Sequence, residues 1–364
     1  MIEQVIIRNY KSIRELRLPL NKLNVLIGAN GVGKSNFISF FELTKAIYEQ
    51  RFGSYTLTKG GIDSLLYHGR KISENIQGLI DFDNNNAFFF QLKPTQSNKG
   101  YIEETGDFFN YDHNKEKDYS SWDRTQWDNA VEESNLINSS KWRASYLKKY
   151  LSSFTVYHFH DTSFSSPMRG SSEIDDNEYL RSNGSNLAAY LYKLEKTDEK
   201  AFRLIEGVTR SIAPYFKKFN LKPDPITPNK INLEWEEVDS DMYLNGYSFS
   251  DGTIRFIALA TLLLQPNLPE IIIIDEPELG LHPVAINKFS ALVKKASQTS
   301  QVIISTQSTN LVNCFEANDV IVVNRENNQS VFKHLSIEDL SVWINDYEYS
   351  LGEIWEKNLI GGQL

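Results

Sequence analysis

Apolar residues along the chain gather into short runs separated by polar or glycine-rich punctuation, the pattern of an α/β protein rather than of a long coiled coil. Val5 to Ile7 and Leu23 to Ile27 read as β-strands, and the intervening "NYKSIRELRLPLN" as a polar connection with room for an edge strand and a turn. Phe37 to Ile47 has helical spacing. "GLIDFDNNNAFFFQLKP", Gly78 to Pro94, places two apolar runs about an Asp- and Asn-rich turn and predicts a hairpin in a small antiparallel β-region. Ser97 to Asn138 is polar with weak periodicity, and Trp122 and Trp127 are expected to pack locally. "SFTVYHFHD", Ser153 to Asp161, is a strand that runs into His158, His160 and Asp161.

From Leu187 to Phe219 the pattern turns helical, with Leu187, Tyr190, Leu191 and Leu194 on one face and Phe202 and Ile205 on the next. Pro214, Pro223, Pro225 and Pro228 interrupt it, so the insertion is compact. Ile271 to Ile274 reads as a buried strand, and Val302 to Val312 as a strand followed by a loop. These elements suggest three parts: 1–95, a mixed and partly helical insertion over 96–235, and 236–364.

Chemistry enters at "GANGVGKS", where the strand ending at Ile27 meets a glycine-rich turn and then a helix, the context a phosphate-binding loop requires. Glycines at 28, 31 and 33 let backbone amides face anionic oxygens, and the helix beginning near Gly33 directs its positive end to the same place. Lys34 is suited to the terminal phosphates and the Ser35 hydroxyl to Mg2+. The expected ATP contacts are Asn30, Gly31, Gly33, Lys34, Ser35 and Asn36. Asp275 and Glu276 leave the buried strand at its end, and uncompensated carboxylates there would be costly. Asp275 is suited to hold Mg2+ directly or through water, and Glu276 to orient or activate the attacking water.

Composition narrows the classes. The 364 residues carry a formal charge of −9, which gives no general attraction to a polyanion, so nucleic acid would need a local basic surface or a partner. Cys314 is the single cysteine, which excludes an intrachain disulfide and fits a reducing compartment. The opening "MIEQVIIRNYKS" lacks a signal peptide's apolar stretch, and no uncharged run is long enough to span a membrane. A cytoplasmic protein without a membrane partner is expected. His158 and His160 read as structural or nucleotide-adjacent residues, since no further ligands stand at a metal-site spacing.

Together these motifs resemble the ATPase head of the structural-maintenance-of-chromosomes, recombination-repair and ATP-binding-cassette superfamily, especially the small bacterial AAA-type ATPases related to the heads of overcoming-lysogenization-defect nucleases. "GANGVGKS" looks like Walker A, "IIIIDEPE" like Walker B, "FSDGT" like the signature loop and "GLHP" like the D-loop. The resemblance covers the first motif and roughly Tyr247 to Cys314. It implies an ABC/SMC-like P-loop ATPase head using ATP and Mg2+, and a homodimer in which Ser250 and Gly252 of one subunit approach the phosphates bound by the other. Gln307 stands where many relatives have histidine, and it implies phosphate sensing alongside Glu276 and Lys34 in catalysis. Gln91 takes a possible Q-loop place and would join Ser35 and Asp275 at the metal. Arg8, Asn9 and Lys11 resemble a segment that approaches nucleotide, Arg255 is suited to phosphate or an interface ion pair, and His282 to a D-loop contact.

After Gln307 only a short stretch follows, so a fused nuclease domain loses its direct support. Two functional expectations remain: an ATP-dependent switch controlling a separate effector, plausibly a nuclease or toxin in antiviral defence, or a repair or chromosome-associated ATPase that clamps nucleic acid. A degenerate nucleotide-binding scaffold is less attractive while Lys34 and Glu276 are present. The segment "YSLGEIWEKNLIGGQL" offers Leu351, Ile354, Trp355, Leu359 and Ile360 either to its own core or to a partner pocket.

Overall fold

A computed structural model describes residues 1–83, 85–111 and 119–362. Part of the polar stretch, 112–118, and the last two residues of the chain lie outside the described residues. The centre is a six-stranded sheet built from β3 (Leu23–Ile27), β8 (Thr155–Tyr157), β14 (Ile271–Asp275), β15 (Gln301–Thr306), β16 (Val320–Glu326) and β17 (Gln329–His334), in the order β17-β16-β3-β15-β14-β8. All its pairings are parallel except β16 with β17.

Near-continuous apolar strands are what a parallel sheet covered on both faces demands. Alternate residues of these strands accordingly enter two separate cores. Val25, Ile272, Ile274, Val302 and Ile304 pack on one side, with α4 (Leu187–Thr197), α5 (Glu199–Ile212), α6 (Asp251–Leu264) and α7 (Pro283–Ala296). Leu26, Ile271, Ile273 and Ile303 pack on the other, beneath α1 (Lys34–Tyr48) and a second sheet.

That second sheet is antiparallel, in the order β2-β1-β4-β5-β6-β7, and comprises β1 (Ile2–Tyr10), β2 (Ile13–Pro19), β4 (Ile76–Phe82), β5 (Asn86–Pro94), β6 (Gly100–Phe109) and β7 (Asp123–Val131). Helix α1 lies between the sheets, with Phe40 stacked on Phe90 of β5 and Phe41 edge-on to Phe154 just before β8. Around this frame sit α2 (Phe52–Thr58) and α3 (Trp142–Leu151). A three-stranded sheet of β10 (Phe216–Phe219), β12 (Glu234–Glu237) and β13 (Tyr243–Asn245) and the two-residue pair β9 (Ser172–Glu173) and β11 (Lys230–Ile231) complete the middle of the chain. After β15 come α8 (Thr309–Val312), α9 (Ile337–Asn345) and α10 (Leu351–Glu356).

The expected hairpin is β4 and β5, and the polar connection after β1 is the edge strand β2. The polar stretch departs from expectation: β6 and β7 extend the antiparallel sheet, so a division after residue 95 falls between the paired strands β5 and β6. Ile354 and Trp355 are buried against the protein's own core beside α8, so the partner-pocket alternative for these two side chains is corrected.

Candidate nucleotide site

The parallel strands β3, β14 and β15 deliver their C-terminal ends to one place. At the end of β3 the loop turns through Gly31 and Gly33 at φ +80° and +118°, and Gly33 caps α1. A side chain at Gly33 would collide with Ser330 and Ser12, so this glycine is required by space as well as by backbone angle. Asn30, Gly31 and Ser35 lie exposed around the loop, while the Asn36 side chain is engaged elsewhere, donating to Ser12 Oγ at 2.7 Å.

Lys34 is buried and its ammonium folds back on the loop, donating to the carbonyls of Gly28 and, at 3.0 Å, Ala29. Burial pulls its pKa down, opposed by the nearby carboxylates of Glu276, Asp275 and Glu278. That opposition places the Lys34 charge in the field of the acidic strand end.

At that strand end, Asp275 receives the Ser305 hydroxyl on Oδ1. Glu276 has φ +42°, a left-handed conformation that costs roughly 1–3 kcal/mol in a non-glycine residue and is held here by its N–H donating to Ser305 O at 3.0 Å. Gln307 Nε2 donates to Glu276 Oε1, so the expected sensor and base are joined directly. Sequence reasoning passed over Glu278. Its Oε1 accepts from Thr306 Oγ1 at 2.5 Å and from the Gln307 N–H at 3.0 Å, and among the described residues its other oxygen is buried with no side-chain or backbone partner. Burial raises the Glu278 pKa more than these bonds lower it.

Two further expectations change. Gln91 lies within β5, bonded to Gln77 and Glu103 in the antiparallel sheet, so its proposed place at the metal is corrected. His158 stands beside Asp275 instead: its Nδ1 is 3.6 Å from Asp275 Oδ2, and the His160 ring donates to the Asp275 carbonyl at 2.7 Å. β8 pairs directly with β14, which carries the loop after Tyr157 to the acidic strand end. The signal was two histidines two positions apart just after an apolar strand that ends at Tyr157. Arg255 is not aimed at phosphate or an interface; it is buried and donates to the carbonyls of Phe159 and His160, both at 2.8 Å.

Ser250 caps α6, its hydroxyl 2.8 Å from Thr253 Oγ1, and remains exposed. A side-chain carbon at Gly252 would come within 2.5 Å of the Gly280 carbonyl, so the signature and D-loops touch through glycine. Buried Arg169, which sequence reading missed, binds the carbonyls of Gly246 and Phe249 and the Asp251 carboxylate at 2.7–2.9 Å and fixes the loop from below. His282 caps α7 through its own ring, accepting from the Val284 N–H at 3.3 Å. Lys11 donates to Ser39 on α1 at 2.7 Å, which ties the β1–β2 turn to the helix after the phosphate loop.

The residues fit a divalent cation. Asp275 keeps Oδ2 clear of Ser305, and the exposed Ser35 lies in the first turn of α1. A parallel core with these loops at its strand ends, backed by an antiparallel sheet, is the fold of an SMC-type head. Similar solved structures share that fold: an Smc head bound to the C-winged-helix domain of ScpA, at TM-score 0.62 and 16% identity, covering 93% of this chain and 99% of that one. An Smc head domain bound to the C-terminal domain of ScpA, from Pyrococcus furiosus, gives TM-score 0.57 and 15% identity over 96% of this chain and 99% of that one.

The chain belongs to the family described as "AAA domain, putative AbiEii toxin, Type IV TA system", whose profile matches residues 23–313. It is also 27% identical over 173 residues to the Old nuclease of Escherichia phage P2, a match spanning 42% of this chain and 28% of the phage protein. Among the described residues, no helix is long and apolar enough to cross a membrane.

Proposed function

We propose that the chain is a Mg2+-dependent ATPase that pairs head to head around ATP and thereby controls a separate effector in the cytoplasm, a nuclease or toxin in antiviral defence. One observation carries the catalytic part: Lys34, Asp275, Glu276 and Gln307 converge where three parallel strands end. In this reading the loop amides and Lys34 bind the terminal phosphates, while Ser35 and Asp275 hold the ion. The ion supplies charge neutralisation and alignment of the phosphate oxygens. Glu276, oriented by Gln307, accepts a proton from the attacking water, and Glu278 anchors the Gln307 backbone.

Support for pairing comes from the surface. Ser250 is exposed beside a D-loop with which its own loop is in contact, and Leu279, Val284, Tyr247 and Phe164 leave apolar surface uncovered nearby. The rings of the last two lie 4.7 Å apart, tilted at 35°. The effector reading draws on the family description and on the nuclease named above.

Purified Lys34→Ala is expected to lose ATP affinity. Glu276→Gln is expected to keep it while phosphate release falls about 10²–10⁴-fold, because an amide cannot take the proton. Nucleotide titration and a phosphate-release assay separate the two, and normal turnover in Glu276→Gln would sink the assignment.

A further inference from the structure

The ligand atoms of His158, His160 and Asp275 lie within 4.8 Å of one another, a cluster that the phosphate loop and acidic pair do not by themselves explain. Two hydrogen bonds fix how these rings present themselves. His158 Nε2 lies 3.2 Å from Glu42 Oε1 on α1. A carboxylate oxygen accepts, so in this bond His158 Nε2 is the donor.

In the neutral ring, Nδ1 then holds a lone pair, and it faces Asp275 Oδ2 at 3.6 Å. Neither atom has a hydrogen to offer the other. Two adjacent ligands on one divalent ion, at bond lengths of about 2.0–2.2 Å, stand roughly 3–3.6 Å apart, so the gap suits a shared cation. A carboxylate gripping the far ring nitrogen is the usual support of a metal-bound imidazole. His160 donates to the Asp275 carbonyl, so it positions the strand end. Arg255 in turn holds the Phe159 and His160 carbonyls from the signature helix α6.

We propose that His158 is a direct nitrogen ligand of the divalent ion held at Asp275, giving the site a preference for Mn2+ over Mg2+. The inference rests on the proposed nucleotide site, whose ion Asp275 and Ser35 would share. An imidazole among oxygen donors favours first-row transition ions, because Mg2+ binds nitrogen poorly and keeps its oxygen shell. His158 also connects that ion, through Glu42, to the helix that follows the phosphate loop.

The test uses the full chain carrying Glu276→Gln, uniformly labelled with 15N, with Mn2+ and unlabelled ATP. Pulsed electron paramagnetic resonance is expected to show coupling of the bound Mn2+ to a protein 15N nucleus. The coupling is expected to vanish in His158→Gln and to persist in His160→Gln. The ratio of Mn2+ to Mg2+ affinity should fall about tenfold or more in His158→Gln, whose circular dichroism spectrum and urea midpoint, matched to the parent, show that it is folded. Bound Mn2+–ATP without protein nitrogen coupling, or coupling that survives His158→Gln, overturns the proposal and leaves the nucleotide site standing. ATP-independent Mn2+ binding that Asp275→Asn does not change overturns both. Should His158→Gln not fold, Glu42→Gln replaces it: a loss of Mn2+ affinity of about tenfold supports the ligand, and an unchanged affinity overturns it.

Discussion

Lys11 shows how much the surroundings of the phosphate loop can bend a single side chain. Burial, with the charge of Lys59 added and that of Glu42 opposing, lowers its pKa from 10.5 to about 8. The folded state therefore releases this proton at lower pH than the unfolded chain does, and between about pH 8 and 10.5 the unfolded chain binds more protons. Stability contributed at this site rises with pH across that window, while below about pH 8 the penalty for the buried ammonium is present in full. Lys11→Met is expected to remove that rise. Urea midpoints measured at intervals from pH 7 to 10.5 check it, and identical slopes in variant and parent would place the titration elsewhere. The neighbouring residues differ in kind: Glu276 holds a strained φ of +42°, while the glycines at 31 and 33 take positive φ freely. No pattern of apolar and polar letters announces a strained glutamate, although its place after a buried strand pointed to its chemistry.

At the scale of elements, the signature loop behaves as a part clamped from both sides. Arg169 holds it from beneath, and Gly252 lets it rest on the Gly280 carbonyl. Gly252→Ala places a carbon where only 2.5 Å is available and is expected to destabilise the protein by about 1–3 kcal/mol through overpacking. A lowered urea midpoint with unchanged slope is the signature; an unaltered midpoint would mean that the two loops part without cost. The strands β3, β14 and β15 were legible because their residues are mostly apolar, as burial on both faces requires, with buried Asn24 the exception in β3. β6 and β7 were not: in β7 only Asp128 is buried, so the strand shows water a polar face and offers no alternation to read. The site followed the same division. Lys34, Asp275 and Glu276 announce themselves by local motif, whereas Glu42, Arg169 and Glu278 matter through partners 28 to 116 positions away in the chain. Spacing along the chain carries no trace of such contacts.

On the scale of the whole molecule, Ser250 is exposed, and in the proposed pairing it is where two copies meet. Ser250→Arg adds a bulky cation there and is expected to abolish ATP-induced pairing while leaving ATP binding to the single chain intact. Sedimentation of the Glu276→Gln protein with Mg2+ and ATP, with and without Ser250→Arg, makes the comparison; pairing that tolerates the arginine would move the interface elsewhere. The order of the central sheet has a different consequence. Among the described residues β3, which carries the phosphate loop, is paired with β15 and β16, so this strand waits for partners that lie more than 270 positions further along the chain. At about 5–20 residues per second this is a delay of tens of seconds, during which an apolar strand leaves the ribosome with both edges open. Such an edge is what chaperones bind and what aggregates recruit, so the yield of this protein in a cell depends on translation speed and chaperone supply as well as on final stability.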